Sequence, residues 1–208
     1  MSKKVLVLCA HTDDGEIACG GALHKFCAEG ALVYYAAFSR ASVPDGFPAD
    51  IIDTEMWKAT NSLGIHRQNV FLYDWQVRKL GYVRQDILEE MICLRDRIRP
   101  DLVFLPCKDD LHQDHTTIYH EGMRAFKYST VLGYEMPMNN LSFQARGFIP
   151  LRREDVEAKV KAVALYQSQN HRIFTRAEAV RSLCVTRGMQ VGQEYAECFD
   201  VIRWVMPW

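Results

Sequence analysis

Apolar residues run unbroken from Val5 to Cys9 and halt at His11-Thr-Asp13-Asp14. A run that short and that continuous predicts a strand buried on both faces. Glu16 to Glu29 follows with helical spacing and is closed by Gly30, and Ala31 to Phe38 is again strand-like. A loop carrying Pro44, Gly46 and Pro48 leads to a helix over about Asp50 to Leu63, ended by Gly64, and then to a short strand, Val70 to Tyr73. Between Arg84 and Arg97 the apolar positions Ile87, Leu88, Met91, Ile92 and Leu94, with Ile98 beyond, give a helix with a broad buried face. Pro100 stops it. Asp101 to Pro106 is a further buried strand, and a helix is expected from about His115 to Phe126.

Continuously apolar strands alternating with helices predict βαβ units, that is, a mostly parallel sheet flanked by helices on both faces. After Val131 the rhythm changes to short strand-like pieces, a charged amphipathic helix (Arg153 to Gln167) and a closing strand (Ala196 to Val205). No Gly/Ser-rich linker, repeat or low-complexity segment divides the chain. The expectation is one domain over 1–208, with an α/β core at 1–130 and a smaller C-terminal α+β portion at 131–208.

Composition narrows the partners. The 208 residues carry 25 basic and 26 acidic side chains without a block of either sign, which argues against a nucleic-acid groove. The first apolar run is too short for a signal peptide, and no span approaches the ~20 apolar residues of a transmembrane helix. Seven cysteines, an odd number with no Cys-x-x-Cys pair, point to reduced thiols and a cytoplasmic setting.

The chemistry is expected at the strand ends, because ligands of open parallel sheets bind outside the carboxyl ends of the strands. Two polar clusters lie there: His11-Thr-Asp13-Asp14, and Asp109-Asp110-Leu-His112-Gln-Asp114-His115. Each alone reads more simply as a solvated turn, a helix cap or a surface pair. If the two strands are neighbours, three histidines and up to five carboxylates meet in one crevice, and a cation is needed to organise them. Imidazole with carboxylate suits Zn²⁺, Fe²⁺, Co²⁺ or Mn²⁺, with about three protein ligands and an open position for water. Gly20-Gly21 lacks the Gly-x-Gly-x-x-Gly pattern of a nucleotide loop.

His11-Thr-Asp13-Asp14-Gly-Glu16 with Gly20-Gly21 resembles the Ala-His-Pro-Asp-Asp-x-Glu…Gly-Gly signature of the LmbE-like (PIG-L) zinc N-deacetylases. Asp110-x-His112-x-Asp114-His115 resembles that family's second motif. Tyr166-Gln-Ser168-Gln169 and Tyr195-Ala-Glu197-Cys-Phe199 resemble its C-terminal segments. The resemblance implies a Rossmann-like sheet and a hydrolase releasing acetate from an N-acetylglucosamine-type sugar or glycoconjugate. It implies Zn²⁺, or Fe²⁺ or another divalent transition metal, on His11, Asp14 and His115, with Asp13 as general base. It places His112 beside the metal to stabilise the oxyanion or protonate the amine, with Asp114 orienting and charge-stabilising His112. It also implies a homo-oligomer, for which the apolar ending Trp204-Val-Met-Pro-Trp208 is the expected contact.

Three departures bear on substrate. Thr12 replaces a proline, Asp74-Trp75-Gln76 replaces Asp-Gly or Asp-Arg, and Ile52 stands where many members have an arginine. Arg40, after a strand end, is the candidate replacement, and Asp110 a second candidate substrate contact. His24, His66, His120 and His171 are expected to be solvated, locally paired or in a loop. Cys9, Cys107, Trp75 and Trp204 are expected in the core. The rival is a non-catalytic module that binds a metal and sugar, or a nucleotide.

Overall fold

The computed structural model describes residues 2–206. The elements in chain order are β1 (Lys4–Cys9), α1 (Asp14–Ala28), β2 (Leu32–Ala37), α2 (Ile51–Ser62), β3 (Val70–Leu72), α3 (Arg84–Ile98) and β4 (Leu102–Pro106), then α4 (Gln113–Ala125), β5 (Thr130–Tyr134), β6 (Gly147–Leu151), α5 (Arg153–Ala164), α6 (Ala177–Met189) and β7 (Tyr195–Arg203). Seven strands form one sheet in the order β3-β2-β1-β4-β5-β7-β6. The first five pair in parallel, and β7 runs antiparallel to both β5 and β6.

The two-residue period of β1 divides its side chains between two cores. Val5, Val7 and Cys9 face α1, α2 and α5, where they meet Ile17, Leu23, Met56 and Val163. Leu6 and Leu8 face α3 and α4, where they meet Ile87, Met91, Leu94 and Ile118. Strands covered on both sides have no polar face, which is why their sequences are continuously apolar.

The chain winds from β1 outward to β3, then returns to place β4 on the other flank of β1, in register from Val5↔Leu102 to Val7↔Phe104. This reversal is the topological switch point, and the carboxyl ends of β1 and β4 open together onto one crevice.

Several boundaries differ from expectation, and α5 ends at Ala164 rather than Gln167. Helix α1 begins at Asp14 rather than Glu16, and α4 at Gln113 rather than His115, so each polar cluster runs into the first turn of its helix. Strand β5 carries the parallel sheet past residue 130, and β6 and β7 extend that same sheet. Helix α6 was not foreseen.

Gly20-Gly21 marks an interruption of α1, at Cys19 (φ −134°, ψ 22°). A Cβ on Gly20 would lie 3.1 Å from Lys159 Cγ, and one on Gly21 only 2.6 Å from Leu151 Cδ1, so the glycines admit α5 and β6. The restarted helix is capped by Glu197, whose carboxylate accepts from the backbone N–H of Gly21 (3.0 Å) and Ala22 (2.7 Å). Lys159, fully buried, donates to Glu197 Oε1 (2.6 Å) and to the freed carbonyl of Ala18 (3.2 Å). The Tyr195-Ala-Glu197 segment thus holds the back of the helix whose front turn carries Asp14.

Trp75 stacks with Phe38 and Tyr73, as a core residue would. Trp204 does not enter the core: it is 63% exposed just beyond the end of β7. Trp208 lies outside the described residues.

Candidate functional site

The turn after β1 is shaped by its own side chains. The Asp14 carboxylate accepts from the His11 backbone N–H (2.8 Å), which folds His11 back over the N-terminus of α1. Beneath it, Tyr35 and Tyr166 converge on the Thr12 carbonyl (2.9 and 2.5 Å) and on the Glu16 carboxyl (2.6 and 3.1 Å). Burial pushes Glu16 up to about 8, so its carboxyl is held neutral below that pH. After β4, Asp110 accepts from the His112 N–H (2.8 Å), and His112 Nδ1 accepts from the Asp114 N–H (3.2 Å), capping α4.

These turns bring the predicted residues together. His11 Nδ1 lies 3.7 Å from Asp14 Oδ2 and 3.3 Å from His115 Nε2, and His115 Nε2 lies 3.3 Å from Asp14 Oδ2. Tetrahedral ligands at about 2.0–2.1 Å from a zinc ion stand ~3.3 Å from one another, so the triangle has the dimensions of one face of such a site. The ligand-type atoms of His11, His112 and His115 also lie within 4.8 Å of one another. The donor set is therefore the right size and chemistry for a divalent transition metal.

The remaining nitrogens of the two histidines are held by carboxylates, and here two expectations are corrected. Asp114 does not orient His112 through its side chain. Its carboxylate sits 3.0 Å from His11 Nε2 and accepts from the backbone N–H of Arg78 (2.6 Å) and Leu80 (3.2 Å). Asp110 is buried beside His115 Nδ1 (2.7 Å) and does not line the cleft, so its place is behind a histidine rather than against substrate. Such carboxylate–histidine pairs fix the tautomer and ring orientation of metal-binding imidazoles. Because His112 Nδ1 is an acceptor, neutral His112 carries its proton on Nε2.

Burial disfavours an imidazolium at His11, but the charge of Asp14 and hydrogen bonds to Asp114 and Asp14 outweigh it and raise the group to about 9. His115 rises against the same burial to about 10 through Asp14 and Asp110. Asp14 is held well below the usual carboxylate range, since the two imidazoles more than offset its burial. Asp13 moves the other way, raised by burial and by the charge of Asp14. His112 is lowered by burial and by its two histidine neighbours, against the opposing charges of Asp114 and Asp14, so Asp114 does favour the imidazolium of His112 by its charge.

These groups form the floor of a cleft of about 190 Å³. Apolar walls come from Ile17, Val77, Met136, Met138 and Phe174, and polar ones from Asn139, Gln169, Arg78 and Arg172. Gln169 is carried by the turn Gln167–Gln169, which is anchored where Glu55 accepts from Ser168 N (2.9 Å) and Oγ (2.5 Å). Arg40 is not part of the cleft lining. Its guanidinium is taken up by Asp53 (2.7 Å) and Asp74 (2.9 Å), and Ile52 is buried. His24 pairs with Asp155, while His66, His120 and His171 are exposed. His171, in the loop after Ser168-Gln169, is solvated as expected, and its neighbour Arg172 is the residue that lines the cleft.

The model of the family PIG-L, GlcNAc-PI de-N-acetylase, matches residues 6–126, more than half of the chain and both motif-bearing turns. The chain belongs to the PIG-L family. Among PIG-L-like relatives, the Escherichia coli (strain K12) protein "Uncharacterized deacetylase YaiS" is 31% identical over 175 residues, covering 80% of this chain and 91% of its own. The N,N'-diacetylchitobiose deacetylase of Pyrococcus horikoshii, solved with its inhibitor MPG, superposes with a TM-score of 0.79 at 20% identity, over 97% of this chain and 84% of that one. GalB, the 4-carboxy-2-hydroxymuconate hydratase of Pseudomonas putida KT2440, superposes at 0.81 with 18% identity, over 99% and 98%. The PIG-L assignment makes this chain a member of a deacetylase family, and the hydratase shows that the fold by itself does not fix the reaction.

Proposed function

We propose that this PIG-L family member is a metal-dependent N-deacetylase acting on an N-acetylated amino sugar or its conjugate. The observation that carries the reading is the triangle of His11 Nδ1, Asp14 Oδ2 and His115 Nε2 at the floor of the cleft, with Asp13 and His112 beside it. His11, Asp14 and His115 would hold the ion, zinc or another divalent transition metal. When bound, it supplies Lewis acidity for the acetamide carbonyl and acidifies a water.

The protein's own groups divide the remaining work. Asp13, uncommitted to the triangle and made more basic by burial beside Asp14, takes the water's proton. His112 offers an N–H from Nε2 to the oxyanion as it forms. Asp13 then returns that proton to the departing nitrogen as the C–N bond breaks, leaving acetate and a free amine. The apolar walls offer surface for the sugar ring and acetyl methyl, and Gln169 and Asn139 supply hydrogen bonds for sugar hydroxyls. The continuous sheet supports treating the 208 residues as one domain.

Acetate release from a panel of N-acetylhexosaminides, by protein stripped of metal and reloaded with zinc, tests the reading. Acetate formed only after reloading is the expected result. Zinc and sugar binding with no acetate from any substrate would favour a non-catalytic module. Because a hydratase shares the fold, acetate rather than substrate loss must be read.

A further inference from the structure

The charge inventory of the cleft is uneven. Its only carboxylates are Asp13 and Asp14, both given work above, while its two arginines, Arg78 and Arg172, have no carboxylate within ion-pair distance among the described residues. Arg40, by contrast, is paired with Asp53 and Asp74. An exposed guanidinium with no carboxylate partner, lining a cleft beside the reacting groups, is a ready site for an anion.

Each arginine is also tied to the site, Arg172 through its side chain and Arg78 through its backbone. Arg172 lies over the Phe174 ring, 5.6 Å from its centroid, and Phe174 itself lines the cleft. Stacking engages the guanidinium face and leaves its in-plane N–H donors free for a forked contact. Its charge reaches Asp13 without pairing with it. Arg78 takes a left-handed backbone (φ 65°), costly for a long side chain, and its N–H donates to Asp114 at 2.6 Å. The strained residue that anchors Asp114 therefore also sets an arginine at the cleft. Two loops far apart in sequence thus bring positive charge to one cleft, while Ile52 and the paired Arg40 offer none there.

We propose that the substrate carries an anionic group, carboxylate or phosphate, which binds at the cleft mouth to Arg172 and Arg78. The inference builds on the deacetylase reading for the position of the amide. The anion site itself is a property of the two arginines and can be read without turnover.

Calorimetry on zinc-loaded protein, with amine products as probes, separates the two. Methyl glucosaminide is the neutral probe, glucosamine 1-phosphate the phosphate probe, and a glucosaminide with a carboxylate on its aglycone the carboxylate probe. One anionic probe should bind about 10- to 100-fold more tightly than the neutral one at low salt. Its identity names the anion. The ratio should collapse in Arg172→Gln and in Arg78→Gln. Equal affinity for all three probes, or a preference that survives both substitutions, would overturn the proposal. So would an Arg172→Gln protein whose kcat falls equally on neutral and anionic substrates while the acid limb of its pH profile shifts, since Arg172 would then serve only Asp13. Anion-dependent binding without acetate release would leave this inference standing and remove the deacetylase.

Discussion

The Asp114 carboxylate lies 3.0 Å from His11 Nε2, joining the first turn of α4 to the turn after β1 across 103 residues of sequence. Two backbone N–H groups fix the same carboxylate, so it cannot turn away when His11 takes a ligand. Asp114→Asn should lower zinc affinity about 10- to 100-fold, the usual worth of such a partner. A competitive chelator titration reads this. Unchanged affinity would mean that the triangle holds its shape without Asp114.

Asp13 and Asp14 are neighbours with opposite environments, the first raised and the second depressed. Adjacent acids pushed apart in this way divide into base and ligand. Asp13→Asn should retain stoichiometric zinc and lose ~10²–10⁴-fold in kcat. His115→Ala should lose the zinc itself, which elemental analysis of the purified protein detects. An Asp13→Asn protein with full turnover would remove Asp13 from the proposed role.

Much of this architecture is legible in the sequence. The strands were readable because burial on both faces leaves no polar alternation, and the clusters were conspicuous because ionisable residues ended apolar runs. Which carboxylate meets which imidazole was not readable. Asp114 sits two residues from His112 in sequence yet its side chain reaches His11, because the start of α4 turns it away from its own neighbour. Helix α6 was missed because its buried positions, Val180, Cys184 and Gly188, form a thin stripe while Val185 and Met189 are exposed. Arg172 escaped notice beside His171, since loop residues follow no period that says which of two neighbours points inward.

The histidines make metal uptake a competition with protons. His11 and His115 are raised to about 9 and about 10, so at pH 7 the metal-free protein keeps protons that a metal must displace. Zinc binding at pH 7 should release at least one proton, and its apparent affinity should rise from pH 6 to about 9. Calorimetry in buffers of different ionisation enthalpy counts the protons. The sign for stability follows from the same shifts. Groups raised above their unfolded value near 6.5 stabilise the metal-free fold fully below that pH, and the contribution is lost as pH rises through 9 to 10. Metal-free protein that melts at the same temperature at pH 6 and pH 10 would contradict this.

The Lys159–Glu197 pair is a buried contact outside the cleft. Both side chains are buried, and together they satisfy the groups freed where α1 breaks, the Ala18 carbonyl and the Gly21 and Ala22 N–H groups. Removing the ammonium alone leaves a buried carboxylate with backbone partners but no counter-charge, and an unpaired carbonyl. Lys159→Met should therefore cost about 3–5 kcal/mol, read from the urea midpoint. Adding Glu197→Gln should recover part of that loss, because a neutral amide still accepts from one N–H group without needing an ion beside it. The interruption lies only five residues from Asp14, so the single variant should also bind zinc more weakly, by shifting the turn that presents Asp14 and His11. A Lys159→Met protein within 1 kcal/mol of the parent would show that the α1 break is held by packing of Gly20 and Gly21 alone.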